Sequence, residues 1–213
     1  MGYTARIILF APREGDLDLL SASLKAAFAG GRIDAVILTL PETDEREQIN
    51  FAKAIAPVVQ GAGAAFLLKD ALELVARSGA DGVHLSSSAR ATEAVNGMHR
   101  IDRSAGIGGL KARHDAMEVA ELGADYVMFG EPRPDGSLPT LDMVLERAEW
   151  WAELFNTPCV AFASETAHIA PLVATGAEFI GLGDVVFADP RGPEEAVRQA
   201  LALIAETPAP QRP

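Results

Sequence analysis

The chain has 213 residues, 49% of them hydrophobic and 6% aromatic, with 30 acidic against 18 basic side chains for a formal net charge of −12. That length and apolar content suit one domain with a full core, and so acidic a surface repels nucleic-acid phosphates and anionic membranes. The longest apolar runs, 7–11 and 62–68, fall well short of the roughly 20 residues that span a bilayer, and a single cysteine, Cys159, leaves no pair for a disulfide or a cysteine-clustered zinc site.

From the N-terminus, MGYTARIILFAPREGD carries an early Arg6 and an apolar stretch too short for the centre of a secretory signal. A cytoplasmic chain is expected. Short aliphatic runs then alternate with longer amphipathic ones. Strands are expected at 6–11, 34–40, 64–68, 82–85, 104–108, 125–130, 158–163 and 178–182. Each is nearly continuous in apolar residues, the pattern of a strand covered on both faces. Helices are expected at 17–29, 45–60, 71–78, 91–96, 112–122, 141–155, 167–174 and 193–206. In the last of these Ala196, Val197, Ala200, Leu201, Leu203 and Ile204 mark one face, and Pro193, Glu194 and Glu195 open it in keeping with the helix dipole. The adjacent Trp150 and Trp151 point about 100° apart on their helix, so one can be core while the other faces a partner copy. A homo-oligomer is therefore among the expectations.

Eight strand–helix pairs define a (β/α)8 barrel over 1–206, with the proline-rich 207–213 as a disordered tail. Three loops echo one another: Gly79-Ala80-Asp81, Gly123-Ala124-Asp125 and Gly176-Ala177-Glu178. Each reads as a helix end with glycine in the left-handed cap and an acid before the next strand, at the barrel's lower face. A doubly wound sheet would need a glycine-rich first turn, which Ala11-Pro12-Arg13-Glu14-Gly15 does not supply.

Reacting groups of such barrels come from the carboxyl ends of the strands. That rule selects Arg13, Glu14, Glu42, Asp44, Lys69, Asp70, the serines at 86, 87 and 88, Gly108 through Lys111, Glu131 through Gly136, Ser164, Glu165, Gly183 and Asp184. Asp70 opens a helix, where an aspartate is a routine N-cap. Lys69 offers a point charge to a phosphate, and Gly183, after the eighth strand, allows close phosphate approach, although Glu165 and Asp184 would repel the anion. His84 alternates with Val83 and Leu85 and reads as a hydrogen-bonded core histidine. His99, His114 and His168 lack a second ligand at helical spacing, so no metal is expected there.

Two stretches resemble a known family. Phe66-Leu67-Leu68-Lys69-Asp70-Ala71-Leu72 with Gly79-Ala80-Asp81-Gly82-Val83-His84-Leu85 resembles the thiamine phosphate synthase segment INDxxDLAxxxGADGVHLGQ. Gly106-Ile107-Gly108, followed by Gly123-Ala124-Asp125-Tyr126-Val127-Met128-Phe129-Gly130, resembles that family's GxSxHT and GADYVxxGPVFPT elements, and also the ADYVLFG of its TenI branch of thiazole tautomerases. The resemblance covers roughly 64–190. It implies an eightfold barrel, a small phosphorylated substrate, and the joining of an aminopyrimidine diphosphate to a thiazole phosphate with release of pyrophosphate. Mg²⁺ and cationic groups assist that departure because negative charge develops on the leaving diphosphate.

Carried over residue by residue, the resemblance leaves Asp70 as the one metal carboxylate. The second becomes one of the serines 86–88, the charged strand-two motif becomes Ile37-Leu38-Thr39-Leu40-Pro41, the strand-five serine becomes Gly108, and the glycine pair after strand seven becomes Ala163-Ser164. After strand six, where the TenI branch places a proton-shuttling histidine, stands Glu131, with Arg133 two residues on. Mg²⁺ wants carboxylates plus substrate oxygens in an octahedral shell, which one aspartate does not provide. Three readings follow. The first is the family's coupling reaction, with Asp70 on the metal. The second is a metal-independent isomerase with Glu131 as acid–base and Arg133 as an anion clamp, supported by Lys69, Gly108, Ser164 and Gly183 at the substrate. The third is a non-catalytic barrel that binds a metabolite or a protein.

Overall fold

The computed structural model describes residues 4–13, 15–133 and 135–208. Glu14 and the tail from 209 onward lie outside the described residues. Eight parallel strands close into a barrel in sequence order: β1 (Arg6–Phe10), β2 (Ala35–Leu38), β3 (Ala65–Lys69), β4 (Gly82–Leu85), β5 (Ser104–Ile107), β6 (Tyr126–Phe129), β7 (Cys159–Ala163) and β8 (Phe179–Leu182). Closure is made by β1 on β8, with Arg6 opposite Phe179 and Leu9 opposite Leu182. Around them lie α1 (Leu17–Ala29), α2 (Glu45–Gly61), α3 (Val75–Ser78), α4 (Ala91–His99), α5 (Arg113–Glu121), α6 (Leu141–Leu154), α7 (Ile169–Ala174), α8 (Asp184–Phe187) and α9 (Pro193–Glu206). No helix among the described residues is long and apolar enough to cross a membrane.

Strand alternation sorts the apolar residues into two cores. The outward set, with Ile7, Leu9, Val36, Leu38, Phe66 and Leu68, packs under the helices. The inward set is smaller: Ile8, Ala35, Ile37, Leu67, Tyr126, Met128 and Val160, with Phe10 and Phe179 packed on it. Large inward side chains are accommodated by inward glycines. A Cβ on Gly106 would lie 1.9 Å from the Tyr126 ring, so the phenol fills the space a side chain there would take.

The three echoing loops form as the sequence suggests, with Gly79, Gly123 and Gly176 at φ of 80°, 96° and 87°. Their acids each clamp the preceding strand. Asp81 accepts the Phe66 N–H at 2.9 Å, Asp125 that of Ala105 at 2.7 Å and Glu178 that of Cys159 at 2.8 Å. Trp151 is buried and donates to the Thr157 carbonyl at 2.7 Å, while Trp150 is half-covered beneath the Arg113 guanidinium.

One expectation is corrected and one helix is added. Asp70 does not cap the following helix: it stands at φ 53°, and the next turn, Leu72–Leu74, begins without a side-chain cap. The short helix α8 sits in the loop after β8, where the sequence shows no helical periodicity.

Candidate active site

The carboxyl ends of β3, β4, β5 and β6 bring a polar cluster into the upper barrel. His84, wholly buried on β4, points inward between two partners. Its Nδ1 lies 3.0 Å from the Tyr126 hydroxyl and its Nε2 lies 3.0 Å from Glu131 Oε2. Lys69, the last residue of β3 and directly opposite His84 in register, sets its ammonium 3.7 Å from the same Oε2. The Phe10 ring closes the group from β1, edge-on to His84 at 5.6 Å and 5.7 Å from the Lys69 nitrogen.

Glu131 reaches this place because Gly130 takes φ 96° and turns the chain inward after β6. It is 5% exposed. Its other oxygen, Oε1, is shut from water and is the buried side-chain polar atom without a hydrogen-bond partner among the described residues. It lies against Gly108, where a Cβ would sit 1.9 Å from it. Glycine at 108 is therefore what admits the carboxylate. Burial and the charge of Glu131 push the Tyr126 phenol well above its ordinary value, so its hydroxyl keeps its proton and donates.

A cavity of about 540 Å³ opens beside the cluster between the loops after β4, β5 and β6 and the flank of α6. Glu131 and Arg133 line it, together with Ser86, Lys111, Asp135 and Arg147. Arg147 is pinned by the carbonyls of Leu110 at 2.7 Å and Lys111 at 2.6 Å, and Arg133 donates to Ser137 Oγ at 3.1 Å rather than to Glu131 or Asp135. Hydrogen bonds from Ser137 hold the Asp135 carboxyl below its usual range.

The remaining residues singled out by the sequence lie around this centre. Lys69 and Gly108 belong to the Glu131 cluster. Ser164 is turned to His168 Nδ1 at 3.1 Å, away from the cavity lining. Gly183 stands behind an edge-to-face pair, Phe10 and Phe162, with centroids 5.3 Å apart. Asp70 spends both oxygens on one neighbour: Oδ1 accepts the Ser86 N–H at 2.7 Å and Oδ2 the Ser86 hydroxyl at 2.6 Å. Among the described residues no group of three or more His, Cys, Asp or Glu is placed to hold a metal ion. These residues do not fit a Mg²⁺–diphosphate.

His84 as a partner of Glu131, Tyr126 as a partner of His84, and Arg147 in the cavity wall are absent from the sequence-based site. Strand alternation gives the direction of His84 and Tyr126, but nothing in the sequence pairs them.

An eight-stranded parallel barrel with a polar cluster and a cavity at the carboxyl ends of its strands defines the class of barrel enzymes that gather chemistry at that face. Within that class, the family described as thiamine monophosphate synthase matches residues 7–185, and the chain belongs to it. Among its relatives, the thiamine-phosphate synthase of Rhodospirillum centenum is 34% identical over 90% of this chain and 94% of its own. That of Hyphomonas neptunium is 32% identical over 94% and 93%. The solved thiamine phosphate pyrophosphorylase of Pyrococcus furiosus superposes with a TM-score of 0.78 at 19% identity, over 95% of this chain and 96% of that one, and so shares the fold.

Proposed function

We propose that this protein acts in thiamine biosynthesis on a small phosphorylated heterocycle, and that it isomerises this substrate by proton transfer through Glu131. The observation that carries the reading is the buried Oε1 that no donor among the described residues satisfies. Leaving a buried acceptor unpaired costs about 1–3 kcal/mol, and such an oxygen is retained where chemistry uses it. The step balances within the substrate. Glu131 takes a proton from an acidic position, the electron pair delocalises into the ring, and the same proton returns to another atom. Lys69 and His84 both engage the carboxylate through Oε2 and so orient it with Oε1 turned to the substrate. Lys111 and Arg133 supply cationic groups at the cavity for the phosphate.

The test follows thiazole phosphate isomerisation with metal chelated. Turnover is expected, and Glu131→Gln should lower kcat by about 10²–10⁴, the usual contribution of a general base. Turnover unchanged in that variant defeats the reading. A second reading, the coupling reaction, is favoured by the names of relatives at 34% and 32% identity. It requires Mg²⁺-dependent pyrophosphate release from the two precursors and its loss in Asp70→Ala. Ligand-induced stabilisation with neither activity would point to a binding protein.

A further inference from the structure

We infer that His84 is a positioning residue for Glu131, accepting the buried Tyr126 hydroxyl proton on Nδ1 and donating from Nε2 to the carboxyl group, and that Gly108 completes the holder by leaving the space Oε1 occupies. The kinetic consequence rests on the acid–base reading of Glu131; the proton inventory does not. Among the described residues the Tyr126 hydroxyl meets one polar atom, His84 Nδ1, at 3.0 Å. A buried phenol that keeps its proton must donate it there, because an unused buried donor costs about as much as a lost hydrogen bond. Nδ1 is then an acceptor, and a neutral ring carries its one proton on Nε2. Nε2 faces Glu131 Oε2 at 3.0 Å, which a carboxylate accepts. The donor order runs one way, from Tyr126 through His84 to Glu131.

An imidazolium would break this order. It donates from both nitrogens, and a proton on Nδ1 would make the Tyr126 hydroxyl the acceptor and leave its own hydrogen without a partner among the described residues. The groups that face His84 are few. Lys69 comes from β3, Tyr126 and Glu131 from β6 and its loop, Phe10 is apolar from β1, and β5 and the residue after it contribute Gly106 and Gly108. Glu131 takes the Nε2 side of the ring and the phenol the Nδ1 side, so each ring nitrogen has one polar partner. The orientation of the Glu131 carboxyl group is therefore fixed through Oε2, while Oε1 has no hydrogen-bond partner among the described residues.

Long-range ¹H–¹⁵N spectra of the full chain at pH 6.5, with His84 assigned through His84→Gln, read the ring directly. The wild type should show Nε2 protonated and Nδ1 bare. Tyr126→Phe keeps the ring packing and removes only the hydroxyl; with Nδ1 left without its donor, the ring proton should no longer be confined to Nε2. Gly108→Ala, which displaces Oε1, should broaden or move the Nε2 signal. In turnover, Tyr126→Phe should lower kcat by about 10-fold with KM unchanged. A proton on Nδ1 in the wild type, or a spectrum unaltered in Tyr126→Phe, overturns the inference. If Glu131→Gln abolishes turnover while Tyr126→Phe leaves kcat intact, positioning is overturned and the acid–base reading stands. If Glu131→Gln turns over normally, that reading falls and the spectra alone decide the holder.

Discussion

At position 108 one absent carbon atom decides where a charge lies. A Cβ there would overlap Glu131 Oε1 at 1.9 Å and approach the His84 ring at 3.1 Å. Gly108 has no positive φ, so its backbone suits alanine and the penalty is purely one of space. Gly108→Ala is expected to destabilise by about 1–3 kcal/mol, as overpacking does, and to lower the melting temperature accordingly. Repeated on Glu131→Ala, the same change should cost less than about 1 kcal/mol, a coupling that urea unfolding of the four chains measures. Tyr126 gives a second test at this scale. Its pKa is raised on folding, so its contribution is fully present below the unfolded value near 10 and declines as pH rises past it, by about 1.4 kcal/mol per unit. Of the two tyrosines in the chain, absorbance at 295 nm should show Tyr126 ionising only together with alkaline unfolding. Tyr126→Phe should lack that alkaline loss. Glu131 and Lys69 were legible as strand-end residues, because topology alone puts them at the upper mouth. Their partnership with His84, 47 positions before Glu131, was not, since pairing depends on the inward glycines that let side chains from β4 and β6 meet. Asp70 reads as a helix cap from its neighbours, yet Ser86, 16 residues later, offers both a backbone and a hydroxyl donor and wins the carboxylate.

Among the elements, the acids that precede alternate strands are the recurrent device. Asp81, Asp125 and Glu178 stand at the starts of β4, β6 and β8 and close the lower ends of β3, β5 and β7. A strand-end N–H at a barrel's base has no helical partner, so a carboxylate there satisfies a donor that burial would otherwise orphan. The worth of each clamp follows its exposure. The Asp125 side chain is 41% exposed and its loss is buffered by water, whereas Glu178 is 8% exposed and serves the buried Cys159 amide. Glu178→Ala should therefore cost about 1–3 kcal/mol and Asp125→Ala about 1 or less. Hydrogen exchange at the Cys159 amide should quicken in the first variant, and equal effects of the two would contradict the argument. The glycine–acid loops were readable because the left-handed cap and the acid are adjacent in sequence. Helix 71–78 was not, since Asp70 at φ 53° sends the chain into the uncapped turn Leu72–Leu74 before α3 can start. α8, at four residues, is too short for a periodic pattern to show.

Over the whole molecule the upper mouth is lopsided. Barrels of this kind often hold phosphate with the loops after strands seven and eight. Here Phe10 and Phe162 fill that side in front of Gly183, and the glutamate and aspartate at 165 and 184 are exposed around it. The open volume lies across the barrel, against α6, where Lys111, Arg133 and Arg147 gather in a chain whose net charge is −12. An anion is drawn to that local cluster against the repulsion of the rest, so its binding should weaken as salt screens the cluster. Thiazole phosphate at 100 times its dissociation constant should stabilise the fold by about 2.7 kcal/mol, a rise of roughly 5–10 °C for a chain of this size. Pyrophosphate with Mg²⁺ should give no metal-dependent rise, because both Asp70 oxygens accept from Ser86 and among the described residues no group of three or more His, Cys, Asp or Glu is placed to hold a metal ion. Arg133→Ala together with Lys111→Ala should remove most of the thiazole phosphate shift while leaving the unliganded melting temperature within a few degrees, as both side chains are exposed. A full shift in that double variant would move the phosphate back to the aromatic side. A Mg²⁺-dependent shift with pyrophosphate, lost in Asp70→Ala, would restore the coupling reaction.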